Sequence, residues 1–216
     1  MPSPSIVQFA EAEHAQVVAF GSNVHVGNLI VVIFVAQTVS GGPPPPPTAP
    51  TDNSGINTYV ACPGASCNGG LTSMATFYCT NKASGSWTVS ESGPWTGAYT
   101  GIYVFEVSGA TAYDNGGGAF GTTTGNASTG NFATNHPNEI VVAATINQNT
   151  ATNSGPGYTL LEITGDFADC LEYALVGAGT QDAQAVMDGS SQQWGIVAAA
   201  FYTPASASVV AIGANF

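Results

Sequence analysis

Short runs rich in Val, Ile, Thr, Tyr, Phe and Trp alternate along the whole chain with clusters of Gly, Asn, Ser and Pro, and no stretch carries a clear helical period. β-Branched and aromatic side chains suit a pleated, half-buried surface, and the punctuating residues suit tight turns. The runs predict strands at 6–9, 15–20, 28–37, 57–61, 74–80, 86–91, 102–107, 139–146, 158–163, 171–176, 183–187, 194–202 and 208–212. Residues 11–20 are the best helical candidate, but Val17-Val18 and the early Gly21 suit a strand better. Too many strands result for one small sheet. The expected fold is therefore all-β: a two-sheet antiparallel β-sandwich, jelly-roll-like, with long polar loops, built by residues 1–216 as one domain. Runs 29–35, 140–144 and 196–201 are apolar at nearly every position, which places them in the middle, covered on both faces.

Two connections are long. Residues 41–50 hold five consecutive prolines, Pro43 to Pro47, and predict a stiff, exposed polyproline II loop. Residues 110–137 are glycine-rich and polar, and read as a functional loop or subunit contact. Within them Gly116-Gly117-Gly118-Ala119-Phe120-Gly121 fits a dinucleotide fingerprint formally, but Thr122-Thr123-Thr124-Gly125 cannot open the helix that a phosphate would need. A flexible loop is the expectation. No internal repeat is evident. The tail, 205–216, carries one more apolar strand around Val209, Val210 and Ile212. That strand either pairs within the domain or is exchanged with a neighbouring subunit.

Lys82 is the only lysine or arginine, against 13 acidic residues, giving a formal net charge of -12. No basic footprint for nucleic acid can be assembled, and no arginine fork for phosphate or carboxylate ligands. An anionic membrane surface would repel the chain. With 44% hydrophobic residues a sizeable core is available, so cohesion must come from burial and backbone ladders rather than surface ion pairs. Residues 1–4 show no basic leader, and the apolar run at 27–39 is too short to span a bilayer as a helix.

Cys62, Cys67, Cys79 and Cys170 are even in number, and predict two disulfides, with Cys62–Cys67 and Cys79–Cys170 the favoured pairing of three. The Asp52-Asn53-Ser54-Gly55-Ile56-Asn57 loop and the Asp166–Asp169 segment offer oxygen ligands suited to calcium, although Asx turns explain the same residues. Trp95, in a loop, is the aromatic to test for ligand contact, with Asp52 and Asn57 beside it; Trp87 and Trp194 read as core. His14, His25 and His136 are scattered and read as surface or structural groups. Glu106, inside an apolar strand with Asp114 nearby, suits a hydrogen-bonded structural acid better than half of a glycosidase pair. Asn126-Ala127-Ser128 is a glycosylation acceptor, so Asn126 is a candidate modification site.

Gly27-Asn28-Leu29-Ile30-Val31-Val32, the 52–59 segment, Gly85-Ser86-Trp87-Thr88-Val89, Phe105-Glu106-Val107-Ser108-Gly109, Asn138-Glu139-Ile140-Val141-Val142 and Trp194-Gly195-Ile196-Val197-Ala198 carry a likeness. In their order the chain resembles β-sandwich modules of bacterial secreted proteins and phage particles, over about residues 5–203. The resemblance implies a module displayed outside the cell and transfers no catalytic residue. The first expectation is a non-enzymatic structural subunit, extracellular, at a cell surface or in a virion, that self-assembles into a filament, layer or particle. The alternative is a glycan-binding adhesion module, assisted by calcium. No nucleic-acid partner, membrane insertion or cofactor other than calcium is expected.

Overall fold

The computed structural model describes residues 3–93, 95, 99–122, 125–148, 150–189 and 193–205. These residues are all-β, in antiparallel pairs throughout. The first half of the chain supplies β1 (Ser5–Glu13), β2 (Val17–Ala19), β3 (Leu29–Gln37), β4 (Thr51–Asp52), β5 (Val60–Gly69), β6 (Thr72–Thr80), β7 (Thr88–Ser90) and β8 (Tyr99–Ser108). The second half supplies β9 (Ala112–Gly121), β10 (Ala127–Ser128), β11 (Phe132–Thr134), β12 (Glu139–Asn147), β13 (Ala151–Ser154), β14 (Thr159–Ile163), β15 (Cys170–Val176), β16 (Gly179–Gln181), β17 (Gln184–Met187) and β18 (Trp194–Tyr202).

Two five-stranded sheets form the body, in orders β1-β8-β3-β6-β5 and β14-β15-β12-β18-β9. Leu29, Val31, Ile33, Val35, Tyr103 and Phe105 of one meet Ile140, Val142, Ala144, Ile146, Val197 and Phe201 of the other in a shared core. The outer face of each sheet is covered as well. Ile30, Val32, Phe34 and Val104 pack under Val18, Trp87 and Val89, beneath the small sheet β2-β7-β4. Val141, Ala143, Ile196 and Ala198 pack under Ala127, Phe132, Ala185 and Met187, beneath β10-β17-β13 and β11-β16. The molecule is thus a sandwich with an outer layer on each side. Burial on both faces is why β3, β8, β12 and β18 are apolar without alternation.

The two halves repeat one another. Reversed, the second large sheet reads β9-β18-β12-β15-β14, which matches β1-β8-β3-β6-β5 strand for strand; β10-β17-β13 matches β2-β7-β4 in the same way. Register agrees: Leu29 faces Val107 and Thr80 as Ile140 faces Phe201 and Leu175. The edge strands β1 and β9 each carry a bulge at the equivalent place, between Ile6 and Gln8 and opposite Ala199 to Phe201. So do the opposite edges, between Ala61 and Ser66 in β5 and between Leu160 and Glu162 in β14. The chain is an internal repeat, contrary to the sequence reading.

Two loops expected from the sequence are strands. Glycines 116–118 lie in β9, where a Cβ on Gly118 would fall 2.4 Å from the Ser66 carbonyl oxygen and one on Gly116 2.7 Å from the Ala65 Cβ. The run is there because the bulged backbone of β5 packs directly on β9, not for flexibility. The segment around Cys62 and Cys67, read as a turn, is that bulged strand. β10, β11 and β16 are likewise ladder segments within stretches taken as loops. The tail strand at Val209, Val210 and Ile212 lies outside the described residues.

The two disulfides are not formed. Cys62 and Cys67 sit in the shared core, Cys79 in the outer core of the first half and Cys170 in that of the second, so sheet layers separate the expected Cys79–Cys170 partners. All four are buried free thiols. Burial pushes Cys67 and Cys79 up to about 12 and the other two higher still, which leaves them protonated and inert at neutral pH.

Candidate functional site

The strand ladders define two poles. Ser5, Ser108, Glu139 and Tyr202 lie at one, where β1 begins and β18 ends; Gln37, Tyr99, Asn147 and Trp194 lie at the other. At this second pole the large sheets part and leave an open cleft of about 660 Å³. Its lining comes from both halves: Gln37, Val39 and Tyr99 from the first, and Ile146, Asn147, Gln148, Thr150, Asp166, Phe167, Ala168 and Asp188 from the second.

The cleft wall is built by cross-half contacts. Glu13, at the end of β1, accepts hydrogen bonds from the Thr164 hydroxyl at 2.5 Å and from the Asp166 and Phe167 amides at 2.6 and 2.8 Å. This carboxylate pins the turn between β14 and β15 against the first half. Phe167 then packs edge-on against Tyr99 at 5.6 Å and against His14 at 4.4 Å. Beneath them the Tyr103 hydroxyl donates to Asp169 at 2.6 Å, with both residues fully buried. Burial raises the Asp169 carboxyl well above the usual range, against the opposing pull of the Tyr103 and Asn147 donors. The Asn147 amide nitrogen donates to Asp169 at 2.8 Å, which leaves its Oδ1 without a partner; Gln37 Nε2 is also buried and unpartnered.

The residues singled out from the sequence do not come together. Trp95 is buried at 7% exposure, tilted against Phe34 at 4.9 Å, and its Nε1 donates to Glu91. Its ring is core, so it offers no platform for a ligand. The same Glu91 carboxylate accepts from the Thr48 amide and hydroxyl and from the Gly93 amide, tying down the end of the proline segment. Asp52 closes an Asx turn by accepting from Ser54, and it accepts from Asn57 Nδ2 at 3.0 Å. Asn53 joins the β4–β7 ladder through Thr88 and Ser86. Asp166 is exposed beside His14 at 3.9 Å, whereas Asp169 is enclosed. Among the described residues no three His, Cys, Asp or Glu side chains converge as metal ligands.

Glu106 is a structural acid. Burial alone would raise it, but donors from Gln8 at 2.6 Å, Asn28 at 2.7 Å and the His25 amide at 2.8 Å outweigh that and hold it below the usual carboxylate range. It is therefore ionised, and cannot serve as a proton donor near neutrality. Asp114 is far from it in the fold, bonded to Asn135 and facing His136 at 3.5 Å. Asn126 is exposed just before β10, and the Ser128 hydroxyl of its acceptor sequence donates to Asp182 at 2.7 Å.

Comparison with protein-family models, curated proteins and solved structures finds no match. What the chain offers chemically is thus read from its own geometry. The cleft was missed from the sequence because its parts are single Gln, Asn, Tyr and Phe residues, far apart in the chain and without spacing to betray them.

Proposed function

We propose that the protein is a non-enzymatic structural subunit of an exterior assembly: a filament, surface layer or particle. The observation that carries this reading is the repeat itself. Two units of one strand order are joined through their broad sheets, so association of this unit with its like is already the organising contact of the chain. Each unit, with a large sheet in order 1-8-3-6 under a smaller one in order 2-7-4, is read as jelly-roll-like. The near absence of cations supports an exterior location and weighs against nucleic-acid or phosphate partners. The bulged edge strands β1, β5, β9 and β14 each expose one large apolar residue, Val7, Val60, Phe120 and Leu160, and these are the contacts we assign to neighbouring subunits.

Light scattering and negative-stain microscopy of the purified chain test the reading. Concentration-dependent oligomers or ordered arrays are expected, weakened by Val60→Ser with Leu160→Ser. A chain that stays monomeric at millimolar concentration overturns it. Removal of residues 205–216 separates two versions: if assembly persists, the tail is not a donated strand. A glycan-binding reading through Trp95, Asp52 and Asn57 has no support, because that ring is enclosed and both polar residues bond within the fold.

A further inference from the structure

We propose that the cleft at the pole opposite the ends of β1 and β18 is a binding site for uncharged saccharides. The argument begins with its unsatisfied groups. Buried polar atoms ordinarily find partners, and an amide left without one costs about 1–3 kcal/mol. Gln37 is 2% exposed and its Nε2 donates to nothing; Asn147 is 5% exposed and its Oδ1 accepts nothing. Asn147 Nδ2 lies 2.8 Å from Asp169 Oδ1. Both residues border the same cleft, from the ends of the central strands β3 and β12, and Gln37 extends the inward-facing row of Leu29, Val31, Ile33 and Val35. A sugar hydroxyl, which accepts as well as donates, suits the unpaired Gln37 donor.

The rest of the cleft fits the same chemistry. Gln148 occupies the position in the second half that Gln37 occupies in the first, given that Leu29 corresponds to Ile140. The repeat therefore places two glutamine side chains about the cleft. Tyr99 and Phe167 form an edge-to-face aromatic wall, with Tyr99 43% exposed, against which the C–H face of a pyranose can lie. Asp166 stands exposed beside that wall as an acceptor for hydroxyls. No cation lines the cleft among the described residues, so anionic ligands find repulsion and no partner. Purely apolar ligands would leave the Gln37 donor unpaired. The volume of about 660 Å³ lies within the ~300–1,000 Å³ usual for small-molecule sites. The site does not rest on assembly: a monomer holds all of it.

The test is protein-observed nitrogen-15 NMR on the full chain, titrated with cellohexaose, maltohexaose, mannohexaose, xylohexaose and chitohexaose, and with spermine and hexagalacturonate as charged probes. At least one neutral hexaose is expected to shift the Asn147, Gln148 and Phe167 amides with a dissociation constant below about 1 mM. Phe167→Ala is expected to weaken that binding about tenfold. Gln148→Ala, at the half-buried margin where folding is not at stake, should weaken it about fivefold. The proposal is overturned if no neutral hexaose shifts those amides, or if the shifts gather elsewhere. It is equally overturned if only spermine or hexagalacturonate binds there, or if both variants bind as the parent does.

Discussion

Burial pushes the Glu172 carboxyl up to about 7 from 4.5, because only Oε2 has a good donor, the Gly155 amide at 3.0 Å, while Oε1 has no partner. A carboxyl raised in the folded state favours folding when protonated. Its contribution is complete below the unfolded value of 4.5 and is lost as pH rises through about 7. The span corresponds to about 3 kcal/mol. Glu172→Gln keeps an acceptor for Gly155 and removes the titration, so the unfolding free energies from urea titrations at pH 4.5 and pH 8 should draw closer together by that amount. A difference unchanged by the substitution would refute the assignment. Gly118 gives a second prediction at this scale. A Cβ there would lie 2.4 Å from a backbone oxygen, so Gly118→Ala should cost about 3 kcal/mol. Gly165→Ala, with nothing within 4 Å, should change stability by less than about 0.5 kcal/mol in the same denaturation assay.

Among the elements, the proline segment is the one whose anchoring hangs on a single side chain. Glu91 holds Thr48, Gly93 and Trp95 together, and these donors outweigh the burial that would raise its carboxyl, keeping it ionised. Glu91→Ala should speed hydrogen exchange at the Thr48 and Gly93 amides by at least about tenfold, and leave amides of β12 unaffected. Long apolar strands such as β3 and β12 were legible in the sequence because a strand buried on both faces has no other reading. β9 was not, since its glycines answer to the bulge of β5, which lies fifty residues away. The repeat was hidden for a related reason. Its clearest echo, Asn28-x-Ile30-Val31-Val32 with Asn138-x-Ile140-Val141-Val142, is one residue out of register with the structural match of Leu29 to Ile140. A shift of one turns each side chain to the other face of its sheet, so only backbone pairing reveals the match. Asn53-Ser54-Gly55 and Asn153-Ser154-Gly155 do recur, each followed by a tyrosine whose buried hydroxyl is unpartnered, Tyr59 and Tyr158. Of the candidate site, Asp166 in the lining and Asp169 beneath it were foreseen, for a different role.

At the scale of the whole molecule, the shared core binds the two halves into one cooperative body. Trp87 lies in the outer core of the first half and Trp194 in that of the second. Variants that keep one of these tryptophans and replace the others with Phe should report the same urea midpoint; two separated midpoints would show that the halves unfold apart. Tyr103→Phe removes the hydroxyl that joins the sheets at Asp169, and should lower both midpoints together, a loss of about 1–3 kcal/mol in unfolding free energy. The poles have a further, mechanical consequence. β1 begins and β18 ends beside the 109–112 connection, so a force drawn through those two points opens the ladders one hydrogen bond at a time. Ladders loaded lengthwise would resist together; these would peel. A protein of this build is a poor cable, with its force-bearing ends at one pole and its cleft at the other.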